Sequence, residues 1–595
     1  MELTRIFDIL DSIKIKFPHK SNALVDKING EWVNCSIEEY FNHVQYLSYG
    51  LLSLGMKKGD MVVTISNNRQ EWNFMDMAIC QTGLVHVPIY PTISDSDYEY
   101  ILKHCEPKLL IVSDKALFER LRLITGGVGL KKGIYTFNEV SDAKNWKEIY
   151  KLGKEYSEQG KESLINIKNS IKPDDLATLI YTSGTTGKPK GVMLSHRNIL
   201  SNIKGISQVF HFNENDRILS FLPVSHVFER TINYYFQKQG VGIYYAENMG
   251  TISDNLKEVK PTVFIAVPRV LERIYDKIIS VGKELKGFKK IIFFWAVNLG
   301  LKYEFHNRNG RLYDFNLSVA NKLVFTKWRK AVGASLKLIV AGGAALQPRL
   351  IRIFNAAGIP LVEGYGMSET SPVIAVNDFD AGKVVIGTVG PVLPGVKVKI
   401  SEDGEILVSG SSIMMGYYKD AEQTKQVIDE DGWLHTGDIG EWVEGEYLKI
   451  TDRKKEIFKL SSGKYVSPQV IENKFKESIL IEQVMVIGEN EKFASALIVP
   501  NFTYLQKWGS HHGIKIRENK EIIAHHRVIS AYQKEINDLN KHLGKTEHIK
   551  RFRLVPDEWT VQSGELSPTL KLKRRYVFKK YEKIINEIYS VQKQE

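Results

Sequence analysis

A polar run between two apolar stretches constrains this chain more than any other part of its sequence. Residues 181–191 read Tyr-Thr-Ser-Gly-Thr-Thr-Gly-Lys-Pro-Lys-Gly, and the flanking residues 176–180 and 192–194 have the apolar composition of strands. The glycines of the run permit positive φ angles and let backbone amides converge on an anion. Its hydroxyls donate hydrogen bonds, and its lysines add positive charge. The pattern predicts a loop at a strand end that binds a polyphosphate.

Composition alone leaves a second interpretation of this run open, since flexible surface loops are also rich in glycine, serine and threonine. The familiar signature of P-loop nucleoside triphosphatases does not apply. Counted from Gly184, Pro189 stands where the second glycine of that signature belongs. The motif therefore does not indicate a P-loop kinase or GTPase.

Length, cysteine content and charge narrow the class of protein. A chain of 595 residues is too long for one simple core, which predicts two or more domains. Cys35, Cys80 and Cys105 are far apart and form neither a disulfide framework nor a zinc motif, so we expect a reducing, cytoplasmic setting. The net charge of +12 favours anionic partners. Because no nucleic-acid-binding motif accompanies this charge, we expect no nucleic acid among them.

The sequence predicts no targeting or membrane-spanning segment. The first residues include an early acid and lack a signal-peptide core, and no apolar stretch approaches the roughly 20 residues that span a bilayer. Residues 282–310 nevertheless join Lys283, Lys286, Lys289 and Lys290 to the run Ile-Ile-Phe-Phe-Trp-Ala-Val-Asn-Leu-Gly-Leu. Because this run is apolar on all sides, burial is the first interpretation. The alternative is a peripheral contact with the inner face of a membrane.

Strand-like and helical segments alternate along most of the chain, which predicts an α/β fold with layered, mostly parallel sheets. The strand-like segments include residues 61–65, 109–112, 217–222, 262–267 and 336–340. From about residue 385 to residue 451, short strands and turns predict a small β-rich subdomain. A charged run then marks a predicted boundary. Residues 1–451 would form a large N-terminal domain, and residues 452–595 a smaller C-terminal α/β domain.

Six further motifs follow the polyphosphate loop along the chain. They are Ser-His-Val-Phe-Glu-Arg at 225–230, Ala-Gly-Gly-Ala-Ala at 341–345, Glu-Gly-Tyr-Gly-Met-Ser-Glu-Thr at 363–370, Gly-Trp-Leu-His-Thr-Gly-Asp at 432–438, Thr-Asp-Arg-Lys-Lys-Glu-Ile-Phe-Lys at 451–459 and Gly-Glu-Leu-Ser-Pro-Thr-Leu-Lys-Leu-Lys-Arg at 564–574. Alone, each has an ordinary explanation, such as a packing histidine, a small-residue turn, a turn-capping aspartate or a solvated charged face. The motifs become specific as an ordered set.

The ordered set resembles the adenylate-forming superfamily of acyl-CoA synthetases, non-ribosomal adenylation domains and luciferases. The resemblance spans roughly residues 30–580, and its histidine and lysine motifs are most similar to those of bacterial-type long-chain fatty-acid–CoA ligases. It implies that ATP, with Mg²⁺, and a long-chain fatty acid give acyl-AMP and pyrophosphate, and that CoA then gives acyl-CoA and AMP. It also implies a mobile C-terminal domain that serves both half-reactions.

The resemblance further implies roles for individual residues. It assigns catalysis to Lys571, His226 and Glu369, with His226 beside the acyl carboxylate, and it makes Asp452 the hinge. Thr182 and Glu369 would hold the metal. ATP or AMP binding is assigned to Thr182, Ser183, Gly184, Thr185, Thr186, Gly187, Lys190, Gly343, Ala344, Tyr365, Gly366, Ser368, Asp438, Arg453, Lys455 and Lys459.

Three alternatives stay open at this point. This chain has Thr569-Leu570-Lys571 where most relatives have Ser-Gly-Lys, so Lys573 is the second candidate for the catalytic lysine. The acceptor could be the phosphopantetheine of a carrier protein instead of free CoA. A nucleotide- or lipid-binding protein without catalysis is the third alternative. The sequence predicts neither the preferred acyl length nor the oligomeric state.

Overall fold

The chain divides into two compact units in this computed structural model, which describes residues 2–127, 129–183, 188–248, 250–306, 308–511, 518–567 and 570–590. The first unit comprises Met1–Lys399, Leu407–His435 and Val443–Leu448. The second comprises Ile400–Ile406, Thr436–Trp442 and Lys449–Glu595. The second unit thus includes parts of the β-rich region, which the sequence assigned whole to the N-terminal domain. The boundary at residue 452 stays a prediction.

Strands and helices alternate as the α/β class requires, and that prediction is confirmed. The strands are β1 (Leu24–Ile28), β2 (Glu31–Cys35), β3 (Met61–Ile65), β4 (Val85–Ile89), β5 (Leu109–Val112), β6 (Ile134–Thr136), β7 (Lys144–Asn145), β8 (Leu176–Ser183), β9 (Pro189–Ser195), β10 (Arg217–Ser220), β11 (Gly242–Tyr245), β12 (Val263–Ala266), β13 (Leu338–Ala341), β14 (Leu361–Gly366), β15 (Val373–Val376), β16 (Val396–Ile400), β17 (Glu405–Gly410), β18 (Gly416–Tyr417), β19 (Leu434–Val443), β20 (Tyr447–Arg453), β21 (Phe458–Lys459), β22 (Tyr465–Val466), β23 (Ile481–Ile487), β24 (Ser495–Pro500) and β25 (Arg551–Leu554).

The helices are α1 (Asp8–Lys16), α2 (Ile37–Ser53), α3 (Gln70–Gln81), α4 (Asp95–Cys105), α5 (Lys115–Ile124), α6 (Trp146–Ser170), α7 (His196–Val209), α8 (Val227–Lys238), α9 (Ile252–Val259), α10 (Pro268–Glu284), α11 (Gly287–Gly300), α12 (Arg311–Ala320), α13 (Thr326–Ala331), α14 (Pro348–Ala356), α15 (Ala421–Val427), α16 (Pro468–Phe475), α17 (Phe502–His511), α18 (Asn519–Ala524), α19 (His526–Asn540), α20 (Arg574–Lys580) and α21 (Glu582–Ser590). Short 3₁₀ turns lie at Thr125–Gly127 and Ser368–Thr370, and a π-helical turn at Asn321–Phe325.

Two large sheets form the frame of the first unit. One has the order β15-β14-β13-β12-β10-β11-β1-β2 and is parallel from β14 to β1. The other has the order β18-β9-β8-β4-β3-β5-β6-β7 and is parallel from β8 to β7. Parallel strands end at a common edge, where ligands of α/β proteins usually bind. The central strands are nearly continuous apolar runs, as is typical of strands buried on both faces, and every residue of β3 and β5 is buried.

The β-rich region forms a four-stranded sheet with the order β16-β17-β19-β20. Farther along, β21 and β22 form a small hairpin, and β23, β24 and β25 form a three-stranded sheet. The second unit has its own hydrophobic core, which includes Phe475, Leu497, Val528 and Tyr532. A separate core lets each unit be a compact folded body.

Helix α11 contains the apolar run for which the sequence left two interpretations open, burial and contact with a membrane. It buries Phe293, Ala296 and Val297, but Phe288 is 74% exposed and Ile291 is 65% exposed. The expectation of burial is therefore right for one face of this helix and wrong for the other. Among the described residues, no helix is both long and apolar enough to cross a membrane.

Candidate active site

Most of the described residues of the polyphosphate run lie in two paired strands. Strands β8 and β9 pair antiparallel and extend into the run, with Thr182 opposite Lys190 and Ser183 opposite Pro189. The sequence predicted a loop from residue 181 to residue 191, but residues 181–183 and 189–191 lie in these two strands. The predicted phosphate-binding residues Gly184, Thr185, Thr186 and Gly187 lie outside the described residues. The hairpin fixes the two ends of their segment.

Glu369 is brought to this hairpin by a tyrosine that the sequence analysis missed. Tyr417, on the two-residue strand β18, pairs in register with Val192 of β9. Its hydroxyl donates to Oε1 of Glu369 at 2.9 Å, and the Nζ atom of Lys190 lies 4.9 Å from the centre of its ring. The Met414 amide also donates to the backbone carbonyl of Glu369. Glu369, Tyr417, Lys190 and Thr182 therefore form one group, the Glu369 cluster.

The Glu369 cluster fits a magnesium ion better than a metal held by protein alone. Glu369 supplies one largely buried carboxylate, and Thr182 supplies a hydroxyl on the neighbouring hairpin. Across the part of the chain that the structure describes, no group of three or more His, Cys, Asp or Glu residues could hold a metal. Mg²⁺ usually takes one or two carboxylates and completes its octahedron with water and substrate phosphates. The residues present fit that coordination.

Four of the residues predicted to bind ATP or AMP lie at the ends of two adjacent parallel strands, where the resemblance implies the adenine pocket. Strand β13 ends at Ala341, and the loop after it contains Gly343, at φ +83°, and the exposed Ala344. Strand β14 ends with the half-buried Tyr365 and with Gly366, which is packed so closely that a Cβ atom would lie 1.8 Å from the Pro372 carbonyl oxygen. Because β13 and β14 pair in parallel, both segments lie at one sheet edge. Ser368, buried, starts the turn that carries Glu369.

Glu363 is a second residue that the sequence analysis did not assign. Its side chain is 6% exposed, and its Oε1 atom accepts a hydrogen bond from the Leu346 amide at 2.9 Å. This bond ties the loop after β13 to β14. Burial raises the pKa of Glu363 to about 8, although the Leu346 hydrogen bond works in the opposite direction. The carboxyl group is therefore protonated at neutral pH.

His226 is the N-cap residue of α8, where its Nδ1 atom accepts a hydrogen bond from the Phe228 amide at 3.1 Å. An accepting Nδ1 places the proton of the neutral ring on Nε2, so Nε2–H can donate to a carboxylate. The Phe228 ring lies against the adenine edge, since a Cβ atom on Gly342 would be 3.4 Å from it. The half-buried His226 thus begins a helix that touches the predicted adenine loops.

Glu229 of the same motif is a structural residue. It is 1% exposed and accepts hydrogen bonds from Ser220 and from Asn233. Burial raises the pKa of Glu229 to about 7, against the effect of those two hydrogen bonds. The motif therefore places His226 at the helix start and Glu229 in the interior.

In the second unit, the predicted ribose contacts come together. Asp438, on β19, is 5% exposed, and its Oδ1 atom accepts a hydrogen bond from Nε of Arg453 at 3.0 Å. The Thr436 hydroxyl accepts a hydrogen bond from the Asp438 amide. An oriented carboxylate beside a guanidinium suits ribose hydroxyls and an adjacent phosphate.

Asp452, the predicted hinge residue, is buried at the end of β20. Its carboxylate accepts hydrogen bonds from the Arg453 amide and from the Ser467 hydroxyl. Burial raises the pKa of Asp452 to about 6, and Glu456 adds to that effect while the Arg453 amide opposes it. The side chain thus joins the end of β20 to the segment before α16.

The predicted lysines of the second unit lie on its surface. Lys455 is exposed, and Lys459 is exposed at the end of β21, opposite Tyr465 of β22. The Nζ atom of Lys459 lies 5.7 Å from the centre of the Tyr465 ring. Residues 460–464 therefore form the tip of this hairpin.

The backbone of Lys571 is hydrogen-bonded to Ser567. Its amide donates to the Ser567 hydroxyl at 3.0 Å, and its carbonyl accepts from the Ser567 amide at 2.8 Å. Leu570, before it, has φ +61°. Lys571 is exposed, whereas the alternative, Lys573, is half-buried as the N-cap residue of α20 and donates its amide to the Glu565 carbonyl.

The structure thus forms two groups of predicted residues in the first unit and one in the second. Thr182, Lys190 and Glu369 form one group, and the adenine loops with the start of α8 form another. Asp438 and Arg453 form the third. No local pattern identified Tyr417, because its partner Glu369 is 48 residues away. Glu363 is the first residue of the motif at 363–370. A carboxyl group next to the buried apolar residues of a strand was the sequence signal that could have identified it.

Comparison with known proteins identifies the family of the chain. The AMP-binding enzyme profile matches residues 15–418, and the AMP-binding enzyme C-terminal domain profile matches residues 455–593. The chain is 33% identical to long-chain-fatty-acid–CoA ligase FadD15 of Mycobacterium bovis, over 95% of this chain and 93% of that protein. It is 33% identical to the peroxisomal long chain acyl-CoA synthetase 7 of Arabidopsis thaliana, over 94% of this chain and 82% of that protein.

Among solved structures, the adenylation domain of a carboxylate reductase from Mycobacterium chelonae has the same fold. The TM-score is 0.75 at 20% sequence identity, over 98% of this chain and 91% of that one. The predicted resemblance to the adenylate-forming superfamily is confirmed. With a family profile over more than half of its length and the Glu369 cluster at its sheet edge, the chain belongs to the family of AMP-binding enzymes.

Proposed function

We propose that this protein is an ATP-dependent long-chain fatty-acid–CoA ligase that forms AMP. The observation that carries the proposal is the Glu369 cluster, which joins a carboxylate, a hydroxyl and a lysine at the ends of the polyphosphate loop. A carboxylate and a hydroxyl that fit Mg²⁺ beside a polyphosphate loop suit the binding and charge stabilisation of a reacting triphosphate. The similarity to long-chain ligases over nearly the whole chain supports the substrate class.

In the first half-reaction, the fatty-acid carboxylate attacks the α-phosphorus of ATP, and pyrophosphate leaves. His226 orients the carboxylate through Nε2–H, and Tyr365 stacks on adenine at the edge formed by β13 and β14. Negative charge grows on the phosphoryl oxygens, and Lys190 and Lys571 stabilise it. Mg²⁺, held by Glu369 and Thr182, would neutralise phosphate charge.

In the second half-reaction, the thiol of CoA attacks the acyl-adenylate and AMP leaves. Asp438 and Arg453 keep the ribose and phosphate of the adenylate in place. We propose that residues 452–595 form the mobile domain, that Asp452 is its hinge and that its motion exchanges Lys571 for CoA. Lys455 and Lys459 are proposed partners of the adenylate and phosphates.

The decisive experiment is thioester formation with MgATP and CoA across fatty acids of graded length, with AMP and pyrophosphate recorded in parallel. We expect thioester to peak at long chains and AMP to form in equal amount. Pyrophosphate without thioester would favour a carrier-protein phosphopantetheine as acceptor. No pyrophosphate with any acid would leave the non-catalytic binding protein as the explanation.

We also propose a peripheral membrane contact through α11 and α12. Phe288, Ile291 and Trp295 are exposed at helical spacing along α11, and Leu312 and Phe315 are exposed on α12. The hydroxyl of Tyr313, on α12, donates to the Leu299 carbonyl of α11, so the helices are held together. Exposed lysines beside such a surface suit an anionic leaflet, which is also where a long-chain fatty acid partitions.

Flotation with phosphatidylglycerol vesicles tests this contact. Ile291→Ser/Trp295→Ser should abolish flotation, and Lys289→Gln/Lys290→Gln should weaken it more as salt is raised. Leu123→Ser is the control, because Leu123 is 81% exposed on α5, outside this surface. Equal flotation of all variants, or none by the parent, would contradict the contact.

A further inference from the structure

A fully buried polar cluster lies beneath the start of α8. Its members are Asp76 of α3, His86 of β4, Thr178 of β8, and Arg230 and Tyr234 of α8. Each is at most 1% exposed. The proposed reaction uses none of these side chains. A charged group in such a place loses its hydration at a large cost in free energy, so its presence calls for a physical reason.

Arg230 is the centre of this cluster and uses its guanidinium in three directions. Nε donates to the Tyr234 hydroxyl at 2.9 Å, and Nη1 donates to the Thr178 hydroxyl at 2.6 Å. Nη2 donates to Oδ1 of Asp76. The Tyr234 hydroxyl donates in turn to the other oxygen of Asp76. The planar fork of arginine can make these three bonds at fixed angles, whereas a lysine ammonium cannot.

The remaining donors and acceptors of the cluster are also satisfied. Burial lowers the pKa of His86 to about 4, although Asp76 works in the opposite direction, so His86 is neutral. Its Nδ1–H donates to Asp76 at 2.6 Å, and its Nε2 accepts from the Thr64 hydroxyl at 2.7 Å. Burial alone would raise the pKa of Asp76, but Arg230 and His86 bring it to about 2. Asp76 and Arg230 therefore stay charged across the physiological pH range.

This cluster joins two elements of the active site. The Arg230 amide closes the first turn of α8 on the His226 carbonyl at 3.1 Å, so Arg230 lies one turn from the acyl-site histidine. Thr178 lies on β8, the strand that carries Thr182 and enters the polyphosphate loop. One guanidinium therefore fixes the helix of His226 to the strand of Thr182.

We propose that Arg230 is a positioning residue that sets His226 against the polyphosphate loop through Thr178. The inference rests on the proposed function, because that geometry matters where a carboxylate must attack the α-phosphorus. Misplacing reacting groups by about 1 Å can cost about 10²-fold in rate. The competing explanation is that the cluster only stabilises the core, yet buried ion pairs are often no more stabilising than apolar side chains of equal volume.

Two conservative substitutions separate these explanations. Thr178→Val removes the hydroxyl that links Arg230 to β8, and Tyr234→Phe removes a hydroxyl that links Arg230 and Asp76 within α3 and α8. Both variants lose buried hydrogen bonds, so both should lower the melting temperature by similar amounts. We expect Thr178→Val to lower kcat for ATP–pyrophosphate exchange about 10-fold, with KM for ATP little changed. Tyr234→Phe should stay within about 2-fold of the parent.

Arg230→Lys provides a second measurement, since it keeps the positive charge beside Asp76 but loses the three-way fork. It should fold and should share the kcat defect of Thr178→Val. Equal exchange rates in Thr178→Val and Tyr234→Phe, or a parental rate in Arg230→Lys, would overturn this inference alone. Absence of exchange in the parent protein would instead overturn the proposed function, and this inference with it.

Discussion

The candidate residues of the first unit are held in place, whereas the lysines of the second unit are exposed on its surface. Glu369 is 9% exposed and bonded to Tyr417, and His226 is fixed by a capping hydrogen bond. Lys455, Lys459 and Lys571 are all exposed. The first unit thus presents a pre-formed site, and the second presents long cationic side chains that are exposed. This difference suits a unit that binds substrates and another that supplies charge at one stage of the reaction.

The comparison leads to a general expectation about substitutions. Changes at the fixed residues of the first unit should alter both stability and activity, because each removes a buried hydrogen bond. Changes at the exposed lysines of the second unit should alter activity alone, since exposed side chains contribute little to folding. Substitutions at Lys571 and Tyr417 test this expectation, and a substitution at Glu363 tests the pH dependence of stability. They are given in order of decreasing effect on the rate.

Lys571→Ala should have the largest effect on catalysis. We expect the rate of acyl-AMP formation to fall by about 10²–10³-fold, because the Lys571 ammonium no longer stabilises the negative charge that develops on the phosphoryl oxygens. Thioester formation from supplied acyl-AMP and CoA should stay near the parental rate, and the melting temperature should not change. Pyrophosphate release and thioester release, measured separately, check the first two points.

Lys573→Ala is the matched control for Lys571→Ala, since it removes the alternative lysine two residues away. A large loss of acyl-AMP formation in Lys573→Ala with none in Lys571→Ala would exchange their roles. Equal loss of both half-reactions in Lys571→Ala would contradict a specific role of Lys571 in the first half-reaction.

Tyr417→Phe should have an intermediate effect on catalysis and a measurable effect on stability. It removes the hydrogen bond to Glu369 but keeps the ring near Lys190. We expect about a 10-fold loss in acyl-AMP formation, a higher Mg²⁺ requirement and about 1 kcal/mol less stability. Initial rates over a range of Mg²⁺ concentration measure the first two. Tyr418→Phe is the control. An equal Mg²⁺ requirement in both variants would contradict a role of Tyr417 at the metal site.

Glu363→Gln should change the rate least and the pH dependence of stability most. The pKa of Glu363 is raised from 4.5 to about 8, so the folded state holds a proton that the unfolded state releases between these values. Stability of the parent therefore falls as pH rises through this window. A glutamine cannot titrate and still accepts from the Leu346 amide.

We expect the free energy of unfolding of Glu363→Gln to rise relative to that of the parent from pH 5 to pH 8. The difference should reach about 1–3 kcal/mol, which is below the maximum of about 1.4 kcal/mol for each unit of pKa shift. Urea unfolding at each pH gives the difference. Parallel profiles for the two proteins would show that Glu363 is ionised in the folded state.

Local sequence patterns predicted much of the frame. The predicted strands at 61–65 and 109–112 match β3 and β5 residue for residue. Strands that are buried on both faces are mostly apolar along their whole length, so their ends are easy to recognise in the sequence. The residues around the polyphosphate run were correctly predicted to form strands. Their extent was not, since hydrogen bonding across β8 and β9 draws Thr182 and Lys190 into the hairpin.

Contacts between distant segments could not be predicted in this way. Asp76 and Arg230 are 154 residues apart, and Glu369 and Tyr417 are 48 apart. No periodicity relates such positions, because the fold alone brings them together. The run in α11 was apolar on all sides in sequence, and only tertiary packing decided that Phe293 is buried and Ile291 exposed.

The second unit is discontinuous along the chain, and this limits how the protein can be dissected. A fragment cut at the predicted boundary, residues 452–595, would carry Arg453 without Asp438. It would also carry Lys454 without Asp403 and Glu405, which bind its ammonium at 2.7 and 2.8 Å. Such a fragment would expose the strand surfaces that these partners cover. Half-reactions are therefore better separated by point substitution in the whole chain than by truncation.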